Sequence, residues 1–128
     1  MEREEYNRLA SEIISACIEV HRNMGPGLLE KVYEHCLIKE LQLRGIHAEA
    51  QSEVKLFYKG YDLHKTFTVD ILVEKEIMLE LKAVEQMHPV YEFQLISYLK
   101  LADKKLGYLL NFNVPLMKEG IRRRVNNL

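Results

Sequence analysis

The sequence predicts an α/β domain in which helices flank a mixed sheet. Three observations carry that expectation. Apolar residues recur at helical spacing over residues 4–23 and again from about residue 28. Over residues 66–82 they instead fall at every second position, the period of a strand. A compact apolar run at 105–112 then follows a third helical segment, as a buried strand does.

In the first segment Leu9, Ile13, Cys17, Val20 and Met24 make the apolar stripe, so a helix is expected over about 4–24. Gly25-Pro26-Gly27 breaks it, and a second helix starts near Leu28 with Val32, Cys36, Leu37 and Leu41 inward and Arg44-Gly45 as its stop. Val54, Leu56 and Tyr58 alternate with polar neighbours, Lys59-Gly60 turns the chain, and a long strand runs through Phe67 to Val73. A hairpin to residues 77–82 adds a further antiparallel strand. After His88-Pro89 a third helix is expected over Val90 to Ala102, followed by a strand over Lys105 to Phe112. A loop and a short last strand, Ile121 to Val125, complete the order α-α-β-β-β-α-β-(β).

A chain of 128 residues suits one compact unit with one core, here taken as 1–128. A net charge of −1 exerts no bulk pull on nucleic acid, so such binding needs a local patch. Lys118 and Arg122-Arg123-Arg124 are the candidate patch, with a solvated strand edge as the favoured alternative. No apolar stretch is long enough to span a membrane and no signal peptide is evident, so the expected location is the cytoplasm. Cys17 and Cys36 fall on helical stripes and are expected buried and reduced. His88 lies in the loop before the third helix, within reach of the cleft, and an exposed loop histidine is the commoner case.

The residues with chemical potential sit on the hairpin. Val69, Ile71, Val73, Ile77, Leu79 and Leu81 form its apolar series, leaving Asp70, Glu80 and Lys82 on the other face. A turn centred on Lys75 sets Asp70 opposite Glu80, with Lys82 two residues on. Opposed like charges destabilise a sheet, and a divalent cation between them removes that cost. Hard cations such as magnesium take one or two carboxylates plus water and substrate oxygens, and the Leu81 carbonyl adds a further oxygen. A surface salt bridge of Lys82 with one acid is the competing reading.

Gly27-Leu28-Leu29-Glu30-Lys31-Val32-Tyr33 resembles the motif that names the GxxExxY family, a branch of the PD-(D/E)XK nuclease superfamily. Val69-Asp70 followed by Glu80-Leu81-Lys82 is similar to that superfamily's metal-binding signature. Gln94-Leu95-Ile96-Ser97-Tyr98 resembles the Gln-x-x-x-Tyr element of RecB-like members. The resemblance covers about 25–125 and implies a restriction-endonuclease-like α-β-β-β-α-β core preceded by an extra N-terminal helix. It implies Asp70 and Glu80 as ligands of magnesium or manganese, Glu30 as a further acid, and Lys82 as the catalytic lysine. Gln94, Tyr98 and Tyr33 would line the cleft, although a core aromatic beneath the site is the favoured alternative for Tyr33. Val69 stands where the superfamily name has proline. Thr68 stands where the branch often carries arginine, which takes a positive charge from the cleft rim.

The implied function is metal-dependent hydrolysis of nucleic acid, with DNA favoured and a homodimer or larger partner supplying recognition surface. Two alternatives stay open. One is a nuclease-fold module that binds nucleic acid or a protein without turnover; the other is a protein whose metal only stabilises the opposed carboxylates.

Overall fold

The computed structural model describes residues 1–128. Helix α1 (Arg3–Met24) and helix α2 (Glu30–Leu43) precede β1 (Ala48–Tyr58), β2 (Tyr61–Val73) and β3 (Ile77–Lys82). Helix α3 (Pro89–Ala102), β4 (Leu106–Asn111), a 3₁₀ turn (Met117–Gly120) and β5 (Ile121–Val125) complete the chain. The sheet order is β1-β2-β3-β4-β5. Every neighbouring pair is antiparallel except β3–β4, which α3 joins as a parallel pair. No helix is long and apolar enough to cross a membrane.

Both faces of the sheet are covered. On one face Ile71, Val73, Ile77, Leu79, Leu81 and Leu110 pack against Ile13, Cys17 and Val20 of α1 and Leu37 and Leu41 of α2. On the other, Val69, Leu72, Met78 and Leu109 pack beneath Leu95 and Leu99 of α3. The expectation of one apolar and one polar hairpin face is therefore corrected: Leu72 and Met78, at even positions, build the second core. Gly107 lets α3 approach, because a Cβ there would lie 2.9 Å from Leu95 Cδ1.

The hairpin turn falls where the alternation placed it, with Val73 paired to Ile77. Glu74 and Lys75 both take positive φ (51° and 59°) to close it. Helix α2 starts at Glu30 rather than near Leu28, since Leu29 keeps an extended backbone. On α1 the buried stripe is Tyr6, Ala10, Ile13, Cys17 and Val20, while Met24 is exposed. Cys17 is fully buried and burial pushes its thiol up to about 12, but Cys36 is only half-buried; both are free.

Candidate functional site

The cleft lies where β2 and β3 part. Their ladder ends at the Ile71–Leu79 pair. Beyond it, carboxylates take the main-chain donors: Asp70 Oδ2 accepts the Leu81 N–H at 2.8 Å, and Glu80 Oε1 accepts the Asp70 N–H at 3.4 Å. On β1, Gln51 has φ of 53° and stands between the Ala50–Ile71 and Ser52–Val69 pairs, opposite Asp70. The strand changes face there: Val69 packs under α3 and Ile71 under α1 and α2. That break in the pleat frees the Asp70 side chain from the regular alternation.

On the α2 side, Glu30, Lys31, Glu34, Gln51, Asp70 and Leu81 line a cavity of about 190 Å³. Glu30 is the first residue of α2, where a carboxylate complements the helix dipole. The Tyr33 hydroxyl fixes that start, donating to the Gly25 carbonyl at 2.6 Å and accepting the Leu28 N–H at 3.1 Å. Its ring is fully buried and stacked on Phe112, with centroids 4.6 Å apart. Tyr33 is thus a core residue that sets the position of Glu30, and the cleft-lining expectation for it is corrected. Buried Glu34 accepts from Lys31 at 2.7 Å and also from Gln51.

The α3 side carries Glu80, Lys82, Gln94 and Tyr98. Glu80 is only 7% exposed. Burial first, and then the neighbouring Asp70 charge, push its carboxyl up to about 8. Lys82 Nζ lies 4.4 Å from the centroid of the Tyr91 ring, a cation–π contact. Gln94 donates to the Tyr98 hydroxyl at 3.0 Å, and the Tyr98 ring stacks on Phe67. Burial, followed by the charges of Glu80 and Asp70, raises the Tyr98 phenol, so Tyr98 stands in the field of both acids. Partial desolvation raises Glu30 as well; Lys82 opposes that shift, while Asp70 and Glu34 add to it.

The two sides therefore share Asp70, yet no three His, Cys, Asp or Glu side chains converge as a cation cluster. Glu80 is not among the residues lining the Glu30 cavity. His88 caps α3, its Nδ1 accepting the Val90 N–H at 3.0 Å. The arginines at 122–124 are engaged elsewhere: Arg122 and Arg124 pair with Glu92, and Arg123 donates to the Tyr108 hydroxyl.

Sequence reasoning missed Lys31, Glu34, Gln51, Tyr91 and Asn111. Glu34 lies one helical turn beyond Glu30, and Tyr91 shares a face with Gln94 and Tyr98, so their spacing held a usable signal. The left-handed backbone of Gln51 has no sequence signature.

A family model described as the PD-(D/E)XK nuclease superfamily matches residues 7–124. The chain belongs to that superfamily. The match takes in α1 through β5, and the mixed five-stranded sheet with three helices is consistent with that superfamily's restriction-endonuclease-like fold. No curated protein and no solved structure gives a significant match. PD-(D/E)XK nucleases generally use divalent metals. The donors here suit a hard cation in kind, because Asp70 and Glu80 are adjacent oxygen donors and magnesium needs only one or two protein carboxylates.

Proposed function

We propose that this protein is a metal-dependent phosphodiesterase of the GxxExxY branch, hydrolysing nucleic acid with DNA favoured. The observation that carries the reading is the meeting of Asp70, Glu80 and Lys82 where β2 and β3 part. Asp70 and Glu80 are the ligands of magnesium or manganese in this reading, with Glu30 and the Leu81 carbonyl as further oxygens. When bound, the cation supplies Lewis acidity toward a phosphate oxygen and lowers the pKa of water. Lys82, held on Tyr91, offsets negative charge that builds on the phosphate. Gln94 and Tyr98 offer an amide and a hydroxyl that orient the substrate. The branch assignment is supported by the Gly25–Tyr33 segment, in which the tyrosine pins the glycine turn and so sets Glu30 at the helix start.

One observation favours the module without turnover: no three acids converge as a cation cluster. Magnesium- or manganese-dependent cleavage of single- and double-stranded DNA and RNA decides between the two readings. Cleavage that disappears with chelator, Asp70→Asn and Lys82→Ala establishes the enzyme. Absence of cleavage in the wild type, or cleavage indifferent to both substitutions, transfers the reading to the binding module.

A further inference from the structure

We propose that the free end of the β1–β2 ribbon is an arm for single-stranded nucleic acid, an inference that rests on the nuclease reading above. Strands β1 and β2 run together from Ala48 to Tyr58 and back to Val73, but β3 pairs only with Ile71, Leu72 and Val73. Residues 52–68 therefore leave the five-stranded body as a two-stranded ribbon. Its base is fixed, since Val54 and Phe67 pack toward α3 and Phe67 stacks on Tyr98 with centroids 4.2 Å apart. Its tip is bare. Phe57, Tyr58 and Tyr61 are 53%, 61% and 74% exposed.

A two-stranded ribbon with bare aromatics at its end is costly to leave in water unless something covers them. The charges say what does. Lys55, Lys59 and Lys65 are exposed, and no ion pair of the protein includes any of them. The arginine run at 122–124, by contrast, is spent on Glu92 and Tyr108. Cations outside any ion pair, Lys59 lying 5.5 Å from the centroid of the Tyr58 ring, are interleaved here with exposed rings. Such a surface suits unpaired bases on a phosphate backbone, the rings stacking and the ammonium groups meeting phosphates.

The tip geometry suits such an arm. Lys59 and Gly60 both have positive φ (50° and 81°), giving the tight two-residue turn between the paired Tyr58 and Tyr61. The pairing register shifts between Lys55 and Phe57, and His64 takes φ of 54° on the facing strand. This irregularity twists the aromatic end relative to the base. The arm also runs directly into the cleft, because Tyr61 and Asp70 belong to the same strand. A strand stacked on Tyr58 and Tyr61 is led along β2 past the Phe67–Tyr98 stack toward the acids.

The test is fluorescence anisotropy of a labelled oligothymidylate and of a duplex of equal length, in chelator so that nothing is cleaved. The Tyr58→Ser/Tyr61→Ser double variant is expected to weaken single-strand binding about tenfold or more, with duplex affinity changed far less. Replacing Lys55, Lys59 and Lys65 by glutamine is expected to make the log–log salt slope for the single strand shallower by about 2, at ~0.7 per phosphate contact. Unchanged single-strand affinity in both variants overturns the arm. So does a wild-type dimer that the tyrosine variant dissociates while nucleic-acid affinity stays the same. A wild type that binds the single strand through the ribbon but never cleaves with metal instead refutes the nuclease reading and leaves the arm standing.

Discussion

Asp70 and Glu80 each tie the other's strand through a carboxylate: Asp70 accepts the N–H of Leu81, and Glu80 accepts the N–H of Asp70. Two acids thus sit side by side at the end of a ladder, one of them nearly buried. Both ionised they would repel each other, a cost the metal-free protein avoids below about pH 8 by keeping a proton on Glu80. Asp70→Asn keeps an acceptor for the Leu81 N–H and removes one charge. In chelator it is expected to be about 1 kcal/mol more stable than the wild type above pH 8, where both acids are ionised, and to differ little at neutral pH, where Glu80 keeps its proton. Metal at about a hundredfold over its Kd stabilises the wild type by ~2.7 kcal/mol and leaves the variant unmoved. Urea unfolding with and without magnesium measures both, and a variant that gains as much from metal as the wild type sinks the ligand assignment.

The raised Glu80 carboxyl makes stability pH-dependent in a defined direction. Its pKa is about 8 folded against an ordinary value of 4.5. Between those values the native protein keeps a proton that the unfolded chain has released, so stability falls as pH rises. The contribution is whole below the unfolded pKa and is lost on passing through the folded one. At its steepest the slope approaches ~1.4 kcal/mol per pH unit. In chelator, the unfolding free energy of wild type minus that of Glu80→Gln is expected to decline across this window. A flat difference shows that Glu80 titrates normally.

Lys82 over Tyr91 predicts a division between ring and hydroxyl. The contact is with the ring face, so Tyr91→Phe preserves it and Tyr91→Leu removes it. A cation–π contact of ~0.5–2 kcal/mol corresponds to a loss of a few-fold to roughly thirtyfold in kcat/KM if Lys82 meets the phosphate. Cleavage of an oligonucleotide by the two variants checks this. Equal loss in both would mean that Tyr91 acts through its hydroxyl.

Much of the architecture was legible because it follows from period and turn. Alternation about Lys75 fixed the Val73–Ile77 pairing and so the meeting of Asp70 with Glu80. The same alternation was misleading at Val69, where the left-handed Gln51 on the adjoining strand breaks the pleat. Leu72 and Met78 were the hint that α3 covers the second face, since apolar side chains at even positions need a core of their own. Tyr33 and Glu30 share a helical face in sequence, but one looks into the core and the other lies on the cavity wall, a distinction of depth that spacing does not carry. The arginines at 122–124 read as a patch because nothing local announces Glu92, thirty residues upstream, as the partner of Arg122.

Asn111 was silent in the sequence and holds the strand end that presents Lys82. It pairs in parallel register with Lys82, and the next N–H, of Phe112, donates to the Lys82 carbonyl at 3.0 Å. The Asn111 side chain is buried; its Oδ1 accepts from Val84 N at 3.1 Å and Asn113 N at 3.2 Å, while Nδ2 donates to Val84 O at 2.9 Å. Asn111→Ala strands those groups and is expected to cost about 2–4 kcal/mol, since each partly buried group left unpaired costs ~1–3 kcal/mol. Asn111→Asp keeps the two acceptor contacts but sets a carboxylate oxygen against the Val84 carbonyl, so it is expected to destabilise at neutral pH and to recover toward wild type at low pH, where the protonated acid can donate again. Gly120→Ala probes the same strap from outside, because its Cβ would lie 1.9 Å from the Asn111 carbonyl oxygen. Urea midpoints give the stability order. Cleavage measured well below each variant's unfolding transition then separates a loosened Lys82 from a fraction of unfolded chains. Wild-type cleavage in folded Asn111→Ala would confine this strap to stability alone.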